Sequence, residues 1–207
     1  EIPPMVVSKG DHAIAINIYG EVWTWGRNDR GQLGDGTTVD RSYPVQVMIK
    51  NDEGQLVPLK NVMIVAAGEK HSVALTRDGV LYTWGDNSKG QLGSGSSSTA
   101  LSYSTRPVTV AGENNSSTSL SEMLAEKNES ISNIVAGRDH TLAVSNQGNL
   151  YSWGANTYGQ LGINSRDSRY FPVQVRGYNG GGFLTDVILI GAGAEHSLAV
   201  RTDGSVW

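Results

Sequence analysis

One ten-residue pattern, W-G-x-N-x-x-G-Q-L-G, occurs three times and constrains this chain more than any other feature. The copies run Trp25 to Gly34, Trp84 to Gly93 and Trp153 to Gly162, with seven of the ten positions identical. A second block, G-x-x-H-[ST]-[LV]-A-[LV], lies upstream of two of them, at Gly68 to Leu75 and Gly137 to Val144, and recurs at Gly193 to Val200. The first copy of this block is looser, His12-Ala13-Ile14-Ala15-Ile16, with Lys9 where the others carry Gly. The motif Trp residues lie 59 and 69 residues apart, and recurrence on this scale marks a repeat architecture, in which each unit buries its apolar faces against its neighbours.

Each unit reads as four short strands. In the second, Val62 to Ala67 and His71 to Thr76 are apolar and β-branched. Arg77-Asp78-Gly79 makes a hairpin turn, and Val80 to Trp84 forms a third strand. A fourth strand is expected to start at Pro44, Pro107 and Pro172, because proline has no N–H for a ladder and suits an outer edge. Four antiparallel strands per repeat is the pattern of a β-propeller blade. The expected fold is all-β, a partial β-propeller of about three and a half blades out of seven. The blades are expected at 5–47, 62–110 and 134–175, with a partial one at 187–207. An insertion at 112–133 carries Ser119-Leu120-Ser121-Glu122, a capping-box pattern that predicts a short helix over 120–127. Met48 to Asn61 and Arg176 to Asp186 read as shorter connectors. Trp207 aligns with Trp23, Tyr82 and Tyr151, so the pattern runs out inside a strand and the chain reads as part of something longer.

Composition narrows the chemistry. Gly contributes 26 of 207 residues, in keeping with many tight turns. The absence of Cys excludes disulfides and thiolate metal sites. No apolar run approaches the ~20 residues of a membrane helix, so no membrane insertion is expected. A formal charge of -4 with scattered basic residues argues against nucleic-acid binding.

The two linked motifs resemble the repeat of the regulator of chromosome condensation family, over essentially the whole chain apart from its first residues and the insertions. That resemblance implies a seven-bladed propeller whose open edge is covered by the rest of the ring or by another chain. In style the chain is closer to bacterial members, which implies an extracellular or cell-surface setting; the alternative is an intracellular one, nuclear or cytoplasmic. Family members act by presenting loops on a rigid ring, among them guanine-nucleotide exchange factors.

No catalytic constellation is visible, so the expected function is a non-enzymatic scaffold that binds a protein partner through one face. The alternatives are an exchange factor for a small GTPase and a carbohydrate-binding or structural surface module. No cofactor and no metal are expected. His12, His71, His140 and His196 share one repeat position, which spreads them around a ring. They read as structural, each bonding within its own blade. Trp25, Trp84 and Trp153 read as core. The motif's variable letters, which the fold does not dictate, are the candidate partner contacts: Arg27, Asp29, Arg30, Asp86, Lys89 and Tyr158, with Ala155 also at such a position. Lys70 and Arg138 join them on the same expected face, and Arg and Tyr rank highest because interface anchors favour them.

Overall fold

The structure is a computed structural model that describes residues 4–95 and 102–207. Residues 96–101, in the stretch after the second motif copy, lie outside the described residues. Three four-stranded antiparallel sheets follow one another along the chain. The first holds β1 (Met5–Lys9), β2 (His12–Ile16), β3 (Val22–Gly26) and β4 (Arg41–Gln46). A small hairpin, β5 (Met48–Lys50) with β6 (Leu56–Pro58), occupies what reads in sequence as a plain connector. The second sheet holds β7 (Val62–Ala67), β8 (His71–Thr76), β9 (Leu81–Asp86) and β10 (Tyr103–Thr109).

Between the second and third sheets lie β11 (Ala111–Gly112), β12 (Ser116–Ser119) and α1 (Leu120–Glu126). Ser119 caps α1: its hydroxyl accepts from Glu122 N–H, and the Glu122 carboxylate accepts from Ser119 N–H. Leu120 and Leu124, one turn apart, are both fully buried and seat the helix on the second and third sheets. The third sheet holds β13 (Ile131–Ala136), β14 (His140–Ser145), β15 (Leu150–Gly154) and β16 (Arg169–Gln174). A pair, β17 (Val187–Ala192) with β18 (Ser197–Arg201), begins a fourth. Trp207 exchanges backbone hydrogen bonds with Ala199 and so starts to pair on β18.

The apolar cores lie between sheets. Ile14, Ile16 and Val22 of the first meet Val62, Val65, Ala74 and Trp84 of the second. Val73, Leu75 and Leu81 of the second meet Ile134, Ala143 and Trp153 of the third. A strand with neighbours on both sides loses its two-residue alternation: every residue of β8 and β14 is buried, whereas β2, which has a blade on one side, alternates between buried and half-buried. Fully burying such side chains contributes roughly 1.5–3 kcal/mol each, so a blade owes its stability to its neighbours.

The expected strand starts at the prolines are corrected. The outer strands begin three or four residues earlier, and Pro44, Pro107 and Pro172 lie at or next to a break in their register with the third strand. Proline has no N–H to offer, and the irregular pairing there requires none.

Candidate interaction face

The loop after each third strand is shaped by the motif's fixed letters. The Asn side-chain oxygen accepts from the Leu N–H five residues on, at 3.0 Å (Asn28–Leu33), 3.2 Å (Asn87–Leu92) and 3.0 Å (Asn156–Leu161). Asn28 and Asn156 also donate to two carbonyls further round the loop. The Gln oxygen accepts from the backbone N–H two residues before it, at Arg30, Lys89 and Tyr158. The hydroxyl just before each motif Trp closes the loop on the Leu carbonyl, from Thr24, Thr83 and Ser152 at 2.6–2.7 Å. These three hydroxyls are absent from the sequence-based candidates, although a Thr or Ser before every motif Trp was the available signal.

The motif Gln carbonyl then ties each blade to the next. Gln32 O accepts from the Trp84 indole N–H (2.8 Å) and the Ser72 hydroxyl (2.8 Å) of the following blade. Gln91 O accepts in the same way from Trp153 (3.0 Å) and Thr141 (3.0 Å). Since each hydroxyl spends its proton on the carbonyl, it can only accept from the histidine behind it. His12 Nε2 therefore donates to Ser72 (2.9 Å), His71 to Thr141 (3.0 Å) and His140 to Ser197 (3.0 Å). The expectation that each histidine bonds within its own blade is thus corrected for His12, His71 and His140, whose bonds cross to the next blade.

Nδ1 of all three rings is buried with no hydrogen-bond partner among the described residues, so the neutral ring protonated on Nε2 is the form that fits. Burial, the largest cause, lowers the pKa to about 4 for His12, about 3 for His71 and about 4 for His140. The His71 and His140 rings each lie on the Gly three residues before them. A Cβ at Gly68 would fall 2.1 Å from its own His71 ring, and one at Gly137 2.0 Å from His140. Lys9, which replaces that Gly in the first copy, sends its ammonium to Ala136 O (2.8 Å) and Ala192 O (3.5 Å), tying the first sheet to the third and fourth.

At the third junction Ser197 donates to Gln160 O (2.6 Å). A cavity of about 310 Å³ lined by Leu150, Gln160, Gly162, Val175, Ala199 and Trp207 adjoins it. His196 is exposed there, and Trp25, in the first blade, is only half-buried.

The variable letters form a charged belt across the junctions. Arg27 pairs with Asp11 (3.2 Å) and Asp29 (3.0 Å), and Asp29 receives Lys70 of the next blade (3.0 Å). Burial raises the Asp29 pKa, but the Gln32 amide and the Lys70 ammonium outweigh it and hold the carboxyl below its usual range. Arg30 reaches Asp86 of the second blade at 3.9 Å, and Arg138 of the third pairs with Glu195 of the fourth at 2.7 Å. Lys89 is exposed, and Tyr158 is 69% exposed. Two of these letters lie deeper than expected: Asp86 is 6% exposed, with Ser88 and Gln91 bonded to one of its oxygens, and Ala155 is 8% exposed.

Residues 5–207 match the RCC1-like domain family (WD40_RLD). The chain belongs to that family. This RCC1-like chain is 32% identical over 240 residues to the ultraviolet-B receptor UVR8 of Arabidopsis thaliana, covering 97% of this chain and 51% of the receptor. It is 32% identical over 204 residues to the E3 ubiquitin-protein ligase HERC2 of Homo sapiens, covering 98% of this chain and 4% of the ligase. The RCC2 homologue of Danio rerio is 34% identical over 154 residues, 74% of this chain and 26% of that protein. Yeast RCC1 (Prp20), crystallised with Kap60, superimposes with a TM-score of 0.73 at 25% identity, over 98% of this chain and 42% of that one. The RCC1-like chain thus spans about half the length of the receptor and far less of the ligase. These relatives come from a plant, vertebrates and yeast, so the expected likeness to bacterial surface proteins draws no support from them.

Proposed function

We propose that this RCC1-like chain is part of a propeller that recognises a protein partner through the loop face carrying Arg27, Asp29, Arg30, Lys70, Lys89, Arg138 and Tyr158. The observation that carries the reading is the belt. Side chains the fold does not require come from three successive blades, and ion pairs that cross the junctions hold Asp29 with Lys70 and Arg138 with Glu195 of the fourth. Exposed pairs of this kind contribute at most ~1 kcal/mol to stability, so they are poorly explained as fold-stabilising devices. They do restrict long side chains before a partner arrives, which lowers the ordering cost of binding. Tyr158 at the rim supplies an amphipathic anchor.

Yeast RCC1 (Prp20) has been solved with Kap60 and studied for its binding to Gsp1p and histones, which supports a protein as the partner here. By the same likeness, the narrower exchange-factor reading is tested by release of bound guanine nucleotide from a small GTPase. Histone binding in one relative and ubiquitin ligation in another support placing the chain inside the cell rather than on its surface.

The test is affinity capture with the triple variant R30A/K89A/Y158A against E126A in α1, which the strand order puts on the opposite face. Loss of captured proteins with the triple variant and retention with E126A is the expected result. Equal capture by both variants would overturn the assignment of the face.

A further inference from the structure

The belt holds one junction that differs in charge from its neighbour. At the first, the residue before the next blade's histidine is Lys70, and its ammonium meets Asp29, whose other oxygen accepts from the Gln32 amide (3.1 Å). At the second junction, the equivalent of Lys70 is Asp139. The Gln91 amide there is shared between two carboxylates, Asp86 Oδ2 at 2.8 Å and Asp139 Oδ1 at 3.5 Å. Asp86 is 6% exposed, and its Oδ1 has no hydrogen-bond partner among the described residues. A buried carboxylate oxygen left unbonded is costly and calls for an explanation.

The surrounding charges supply only part of one. Arg30 stands 3.9 Å from Asp86 Oδ1, beyond hydrogen-bond reach, on a side chain 44% exposed. Arg138, beside Asp139, is engaged by Glu195 at 2.7 Å. Glu69 adds a third negative charge from the β7–β8 turn, and Lys89 stands at the rim as a further positive one. Burial, then the neighbouring Asp86 charge, raises the Asp139 carboxyl above its usual range. Among the described residues no group of three or more side chains is gathered to hold a metal ion.

We propose that the Asp86–Asp139 notch is a receptor for one cationic side chain of a partner protein, a lysine or arginine that takes the place Lys70 fills at the previous junction. The inference rests on the loop face being the binding face, and names the chemistry that face reads at its centre. The incoming ammonium or guanidinium donates to the unbonded Asp86 oxygen and to Asp139, and ends the repulsion between them. A guanidinium suits it better, because its planar fork can address two carboxylates at once. Glu69 biases the notch further toward a cation. Arg30, 44% exposed and 3.9 Å from that oxygen, has to move aside toward the rim for the cation to enter.

The test uses N-acetyl-argininamide as the probe and its uncharged citrulline analogue as the control, each titrated into the isotope-labelled protein and followed by carboxyl and amide NMR. The expected result is saturable shifts centred on Asp86, Gln91 and Asp139 with the arginine derivative alone, and a lower titration midpoint for Asp139 when it is bound. Asp139→Lys, which builds in the cation of the first junction, should remove these shifts, with at least tenfold weaker binding. It should also raise the Tm, which shows that the variant folds. Asp139→Asn should weaken binding several-fold while keeping the fold. Shifts scattered over the surface, equal shifts with citrulline, or undiminished binding by Asp139→Lys would overturn the proposal. Capture that fails in R30A/K89A/Y158A while N-acetyl-argininamide leaves the notch unshifted would sink this inference alone. Saturable probe binding with capture indifferent to the triple variant would sink the broader reading.

Discussion

Removing the two donors that converge on Gln32 O provides a quantitative test of how one blade is fastened to the next. Trp84→Phe deletes the indole N–H and leaves most of the ring in a site where Trp84 is 0% exposed. Gln32 O still accepts from Ser72 at 2.8 Å, so the loss should be about 1 kcal/mol for the bond, plus a small cavity term. Ser72→Ala removes the other donor and also the acceptor of His12 Nε2–H. It should cost more, about 2 kcal/mol, since a buried ring N–H is orphaned. In the double variant the carbonyl has neither donor and is left buried and unsatisfied, a penalty neither single variant incurs. The cycle should therefore be non-additive, with the double variant less stable than the sum of the singles by about 0.5–3 kcal/mol. The assay is urea unfolding of all four proteins at constant pH, read by tryptophan fluorescence and by far-UV circular dichroism. Agreement with the simple sum to within ~0.3 kcal/mol would refute the shared-acceptor reasoning.

Acidification should destabilise the chain through its buried histidines. Their pKa values of about 4, 3 and 4 lie below the unfolded value of 6.5, so the unfolded state binds more protons between pH 6.5 and 4, and stability falls as pH drops through that window. Each ring adds a slope of roughly 1.4 kcal/mol per pH unit. Denaturation midpoints across that range measure the slope, and His71→Gln should reduce it by about one ring's share. Gly68→Ala should be strongly destabilising, by about 2–4 kcal/mol, because its Cβ would displace the His71 ring and break the bond to Thr141; thermal melts check it. Ser119→Ala should cost about 1 kcal/mol through the lost cap, with faster amide exchange confined to α1 and the chain just after it.

The fold was legible because the repeat states it several times. Identical letters at a fixed spacing select one supersecondary unit, and the Asp-Gly hairpins and β-branched runs select strands. The direction of the histidine bonds was not legible. A ring at the start of a second strand can face its own sheet or the next, and the choice depends on how blades stack, which no single repeat encodes. The Thr and Ser before each motif Trp do not stand out in the sequence, because a hydroxyl in a strand reads equally well as filler. Asp86 reads as a surface letter like Arg27, yet the amide of Gln91 and the hydroxyl of Ser88 draw its carboxylate inward. The prolines misplaced the outer strand starts because the same missing N–H that suits a strand's first residue also suits a break in register. The belt was legible as a face, but its pairing was not, since partners such as Asp29 and Lys70 are 41 residues apart and meet only when blades are adjacent.

The bonds from His12, His71 and His140 stitch each blade to the next. Long-range proton–nitrogen NMR on histidine-labelled protein reads the protonation of both ring nitrogens. His12, His71 and His140 should be neutral, protonated on Nε2 and bare on Nδ1, and should stay so from pH 7 down to pH 5. A proton on Nδ1, or titration of these rings near the ordinary value of 6.5, would contradict this assignment.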